Sequence, residues 1–289
     1  MHRQWRLSAA ALPVNPHEEH LATRRAAGLF DFSFMGLFEF SGAAALDRLQ
    51  SRRLTDIEPG RAAYTLLLND DGSVFNDATV WNMGADRWWL FTGRRPASGA
   101  ILAHLIGADT IQHLRYFHFV DIHKMLVARL GYSGELGYEL VLPAPREMAL
   151  RKALLEAGDD RLRECSFAAA DSLRIESGYV LFDREIDGRA NPRELGLERL
   201  VSDPGRTFGL SRKLVGLEFT DRPAHVEVPS AHVTSECDSP TLGKRIALSF
   251  AAPDAKPGDG VKLDDGRVAR VAKLPFYDPG KQLPRAAPL

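Results

Sequence analysis

Apolar and polar positions along the chain divide it into two regions of different rhythm. Residues 18–28 (EEHLATRRAAG) carry Ala, Leu and Arg and predict a short helix with Gly28 as its stop. Residues 29–40 (LFDFSFMGLFEF) alternate large apolar with other residues and predict a strand. Ser41 and Gly42 then open a helix over 43–50, and Pro59-Gly60 marks a turn. A hairpin follows, with strands at 64–69 and 73–82 around Asp70-Asp71-Gly72, and RWWLFT at 87–92 reads as the next strand. Residues 95–107 predict a helix or loop-helix. Short strands at 124–129 and 137–142 flank the glycine-bounded turn 131–135, and amphipathic helices over 146–157 and 167–177 end at Gly158 and Gly178. After about residue 200 only short strands and turns remain, with Asp203-Pro204-Gly205 as a linker and a second hairpin over 262–273. The pattern therefore predicts an α+β body over residues 1–205 and a small β-barrel or sandwich over 206–289.

Composition narrows the setting. Of 289 residues 45% are hydrophobic and 26% charged, which is the balance of a folded globular chain. Lys plus Arg is 37 against 38 Asp plus Glu, so no broad electrostatic pull toward nucleic acid or anionic membranes is expected. Two cysteines, Cys165 and Cys237, make no disulfide framework and are read as reduced. The apolar run Ala9-Ala10-Ala11-Leu12 after Arg3 and Arg6 stops at Pro13, too short for a signal peptide or a membrane span. The expected location is cytoplasmic.

General-purpose motifs are missing: there is neither a P-loop nor a G-x-G-x-x-G fingerprint. Gly131-Tyr132-Ser133-Gly134 lacks one spacer of a nucleophile elbow. The nine histidines show no ligand-like spacing, and His118 and His123 would point to opposite faces of a strand, so no metal is expected. Two acids stand out. Asp77 interrupts a β-forming stretch, and Glu139 sits between Tyr138 and Leu140. Each is either a solvent-facing strand position or a carboxylate aimed into a pocket.

Longer segments decide between those readings. The stretch from Arg129 to Glu139 (RLGYSGELGYE) resembles R-x-G-Y-T-G-E-x-G-[FY]-E of the glycine-cleavage T-protein, the tetrahydrofolate-dependent aminomethyltransferase family. Residues 171–178 (DSLRIESG) resemble its D-S-L-R-L-E-A-G helix, and residues 19–24 (EHLATR) its E-H-x-x-x-R opening. Residues 32–36 resemble its D-x-S-x-M-G segment, residues 64–77 its Y-x-x-x-L-N-x-x-G-G-x-x-D-D hairpin, and residues 233–244 its V-T-S…S-P-T-L-G-K module. The matches keep the family order.

The resemblance implies a folate-binding body of antiparallel sheets with helices, followed by a C-terminal barrel. It implies that Tyr64, Tyr132 and Glu139 bind tetrahydrofolate, with Glu139 accepting from the pterin's donor edge, and that Asp77 acts near the reactive nitrogen. The implied partner is a lipoylated carrier protein or a small one-carbon donor. Two family positions differ: an Arg that helps bind folate is Ala170 here, and an Asn after the catalytic strand is Gly93. Arg94 and Arg95 are the nearest replacements for the lost cation. The chain is also shortened after Thr92 and around 205–213 and 225–231. Two alternatives stay open. One is a folate-dependent demethylase of a small substrate, which Asn76-Asp77 in place of Asp-Asp favours; the other is a folate binder without turnover. The Cys-bearing K-G-C-Y-T-G-Q-E segment of the iron–sulfur-assembly relatives is absent.

Overall fold

The computed structural model describes residues 15–92, 113–182, 184–220, 226–263 and 265–287. The helix expected over 95–107, with Gly93, Arg94 and Arg95, lies outside the described residues, as do residues 1–14. Helix α1 (Pro16–Arg25) starts on Asn15, whose side chain accepts from the Glu18 N–H, and carries acids in its first turn and arginines in its last. It ends before Gly28 rather than on it. Gly28 instead lies within strand β1 (Ala27–Phe30), where a Cβ would fall 2.3 Å from Thr23 Oγ1. The single strand expected over 29–40 is two: β1 pairs in parallel with β9 (Leu162–Cys165), while β2 (Gly36–Ser41) joins a different sheet. The alternation was continuous through the turn between them, so period alone did not separate them.

Helix α2 (Ala43–Asp47) leads to the hairpin of β3 (Ala62–Leu68) and β4 (Val74–Gly84), followed by β5 (Arg87–Thr92). These form an antiparallel sheet of order β2-β5-β4-β3. One face, through Ala63, Ala78, Val80, Trp88 and Leu90, packs on Leu46, Leu54 and Ile57. The opposite face packs Trp81 and Phe91 against Leu126, Ala128 and Leu130. Those three belong to or follow β7 (Leu126–Ala128), the middle of the antiparallel sheet β6 (Phe119–Asp121), β7, β8 (Glu139–Val141). Helices α3 (Glu147–Gly158) and α4 (Phe167–Glu176) match the two amphipathic segments. The C-terminal region is a closed five-stranded barrel of β10 (Lys213–Phe219), β11 (Val226–Ser239), β12 (Lys244–Ala251), β13 (Gly260–Leu263) and β14 (Val268–Ala272). No helix among the described residues is long and apolar enough to cross a membrane.

A buried polar network fastens the barrel to the body. Arg174 on α4 is fully buried and reaches Glu185 and Asp171 at 2.8 Å each and Ser235 Oγ on β11 at 2.6 Å. Glu185 also accepts from Thr234 and Ser235, so each charge is matched. Beside it Glu176 meets Arg24 at 2.8 Å and His20 at 3.1 Å and accepts from Ser239 Oγ at 2.5 Å. Glu19 accepts from the N–H and hydroxyl of Ser166, the N-cap of α4. Most of the conspicuous polar sequence motifs thus meet in this one network.

Burial alone would raise the Glu176 carboxyl, but the hydrogen bond from His20 and the charge of Arg24 outweigh it and bring it to about 2. A depressed folded value stabilises the protein above the ordinary Glu range and loses that contribution as pH falls toward the folded value. Acid titration followed by circular dichroism should therefore show the wild type losing stability between about pH 4.5 and pH 2. A Glu176→Gln chain should start less stable and show a shallower loss over that interval. Parallel acid curves for the two proteins would contradict this role.

Candidate active site

Register on the four-stranded sheet brings Tyr64 and Asp77 together. Leu66 stands opposite Asp77 and Tyr64 opposite Thr79, so Tyr64 and Asp77 are diagonal neighbours on one face. The Tyr64 hydroxyl donates to Asp77 Oδ2 at 2.7 Å. Asp77 is buried, and its own N–H donates to Asn76 Oδ1 at 2.9 Å. Burial first, then the Asp77 charge and hydrogen bond, push the Tyr64 phenol well above its ordinary range. Tyr64 is thereby kept protonated as a fixed donor.

Tyr132 lies in the turn at 131–135, where Gly134 has φ +84° and a Cβ would fall 2.2 Å from Ser177 Oγ. Only glycine fits that close approach. The Tyr132 hydroxyl donates to the Val180 carbonyl, and its ring stacks on Tyr179 at 5.5 Å between centroids. Tyr132 is near enough to Tyr64 to raise that phenol further.

Glu139, the first residue of β8, is buried and lines a cavity of about 370 Å³. Its apolar walls include Leu29, Phe32, Met35, Leu37 and Phe91. Tyr64, Asp77 and Tyr132 are not among the residues lining that cavity. The two groups are joined across the sheet: Phe91 is opposite Thr79 and Leu37 opposite Phe91, so the face bearing Tyr64 and Asp77 continues into the Glu139 wall. Glu135 does other work, pairing with Arg24 at 2.8 Å. Ala170 is buried among Phe30, Phe32 and Leu173.

The C-terminal segment contributes residues that pattern reasoning did not single out. After the barrel the chain returns to the body, where Arg24 covers the Tyr277 ring at 3.9 Å and Arg129 donates to the Ala286 carbonyl. Lys281 Nζ sits 4.3 Å from the Tyr179 ring centroid. Burial, then Arg199 and Arg285, push the Lys281 ammonium down to about 8. Nothing in the Pro- and Gly-rich tail sequence signals this contact, because the partner aromatic is a hundred residues away along the chain. Tyr179 directly follows the α4 motif and was legible only as its neighbour.

Comparison with known proteins identifies the architecture. The aminomethyltransferase T of the glycine cleavage system from Bartonella henselae superposes with a TM-score of 0.76, covering 92% of this chain and 90% of that one at 23% identity. That likeness defines the fold. The GCVT N-terminal domain family matches residues 13–97 and 94–203. Aminomethyltransferases from Synechococcus elongatus and Chlorobaculum tepidum are 34% and 36% identical, over 90% and 89% of this chain and 87% and 89% of theirs. The Bacillus subtilis aminomethyltransferase is 31% identical over 90% of each chain. The chain belongs to the GCVT family, the enzymes of the aminomethyltransferase type. These relatives support neither the demethylase nor the non-catalytic reading.

Proposed function

We propose that the protein transfers a one-carbon unit from an aminomethyl group on a lipoylated carrier to tetrahydrofolate, with release of ammonia. The observation that carries this reading is the buried Tyr64–Asp77 pair, on a sheet face continuous with an apolar cavity that holds a second buried carboxylate, Glu139. Those residues fit the ligand. A largely apolar cavity suits a fused heterocycle, and a carboxylate with two acceptors suits its edge of adjacent N–H donors. Tetrahydrofolate when bound supplies the nucleophilic nitrogen that takes up the carbon.

The chain's own residues do the rest. Glu139 fixes the pterin edge. Asp77 places negative charge where a cation develops on the transferred carbon, in a site dry enough for that charge to act strongly. Tyr64, a permanent donor, holds the Asp77 carboxylate in one orientation, so no reorganisation is required at the reacting moment. Asp77 is an electrostatic group here rather than a strong base, and protons can pass to water.

A titration with tetrahydrofolate followed by a screen of aminomethyl-carrier and small methylated donors tests the reading. Turnover with the carrier supports it; absence of folate binding ends it. Within the site, Glu139→Gln should weaken tetrahydrofolate binding about tenfold or more, since a charge-assisted hydrogen bond contributes about 1.5–3 kcal/mol and the new amide sets a donor against donors. Glu135→Gln should leave affinity near the wild-type value, because its partner is Arg24. Equal losses in the two variants would remove Glu139 from the pterin edge.

A further inference from the structure

A second cavity, of about 400 Å³, lies between the segment after α2 and the segment after residue 200. It is lined by Arg48, Arg52, Arg53 and Arg206, against two carboxylates, Asp47 and Asp203. Both carboxylates are engaged with backbone: Asp47 accepts from the Leu54 N–H at 3.3 Å and Asp203 from the Gly205 N–H at 2.9 Å. Among the described residues none of the four guanidiniums forms a salt bridge, although thirteen other arginine and lysine side chains do.

The walls are rigid. The buried Gln50 accepts from the Arg52 N–H at 2.8 Å, donates to the Arg52 carbonyl at 2.5 Å and is itself held by Thr65 at 2.7 Å. The Ser202 N–H donates to the Ser51 carbonyl at 2.8 Å, and the Arg53 N–H donates to Ser202 Oγ at 3.0 Å, which zips the two walls together. Arg206 is steadied by the Asn69 carbonyl at 3.2 Å. Four like charges held on a fixed frame, half-buried at Arg52 and outnumbering the two carboxylates of the cavity, favour the entry of an anion.

We propose that this cavity is a binding site for a multivalent oxyanion, recognised by Arg48, Arg52, Arg53 and Arg206. Planar guanidinium forks match phosphate and carboxylate oxygens alike. The oxyanion is either a free phosphate-type ligand or the carboxylates of a glutamate chain carried by the folate, the second resting on the function proposed above. The two sites share a strand: Leu68, at the end of β3 on which Tyr64 stands, lines this cavity.

Titration calorimetry on the full chain tests this with pyrophosphate and with monoglutamyl and pentaglutamyl tetrahydrofolate, on wild type and on Arg52→Gln/Arg206→Gln. Both side chains reach solvent, and thermal melts verify that the variant is folded. If the anion is free, the wild type binds pyrophosphate and the double variant binds it about a hundredfold more weakly, at roughly tenfold per charged contact. If the glutamate chain is the ligand, the pentaglutamyl form binds the wild type about tenfold or more tightly than the monoglutamyl form, and the double variant loses that preference. Its affinity for the monoglutamyl form stays unchanged. Pyrophosphate affinity equal in both proteins, together with no chain-length preference, overturns the proposal. Failure of monoglutamyl tetrahydrofolate to bind would count against the function proposed above and leave the pyrophosphate test standing.

Discussion

Asp77→Asn should lower turnover about 10²- to 10³-fold while tetrahydrofolate affinity stays within a few-fold of wild type, the loss of about 2.7–4 kcal/mol that follows removal of one preorganised electrostatic group. Asn is nearly isosteric with Asp and can still accept from the Tyr64 hydroxyl, now 2.7 Å from Asp77 Oδ2, so the ground-state site survives. What disappears is the negative charge, and its interaction with a developing cation exists mainly in the transition state. The effect should therefore fall on kcat rather than on binding. The control has to respect the local hydrogen bonding. Asn76 accepts from the Asp77 N–H at 2.9 Å, so truncating it would disturb Asp77 itself. Asn76→Asp keeps an acceptor there and should leave kcat close to wild type. Full turnover in Asp77→Asn with any donor that supports the wild type would exclude the electrostatic role.

Arg174→Met should destabilise the fold by about 3–5 kcal/mol, the cost of breaking a buried ion pair by removing one partner. The Arg174 side chain is fully buried and touches Asp171, Glu185, Ser235 and the Tyr179 carbonyl. Met fills much of the volume but leaves the Glu185 carboxylate, also fully buried, without its cation. Urea denaturation should show the loss as a lower midpoint, and replacing Glu185 together with Arg174 by apolar residues should recover part of it. A midpoint unchanged in Arg174→Met would mean that the Arg174–Glu185 pair contributes nothing to holding the barrel on the body.

Both predictions turn on residues whose roles differ in how far the sequence disclosed them. Asp77 was suspicious from local chemistry, as an acid within a β-forming stretch, and the Tyr64 spacing of 13 positions came only with the family resemblance. Arg174 carried a motif but no visible role. It is the centre of a network linking α4 to β11. Glu19, His20, Arg24 and Glu176 follow the same course. They satisfy one another in a buried interface, where an unmatched partner is costly.

Local pattern by itself determined the elements whose signal is short in range: the β3–β4 hairpin with its Asp-Asp-Gly turn, the amphipathic α3 and α4, and the change to short strands beyond residue 200. Turn chemistry and periodicity are set by neighbours within a few positions, so they can be read without the fold. The tertiary structure decided what depends on distant partners. It split the 29–40 stretch between two sheets, because β1 found its parallel partner at β9 and β2 found β5. It turned the charged motifs inward to meet the barrel, set Lys281 on Tyr179, and drew four arginines around one cavity. Each of those outcomes is a matching of charge, shape or hydrogen bonds between segments far apart in the chain, and no window along the sequence contains both halves of such a match.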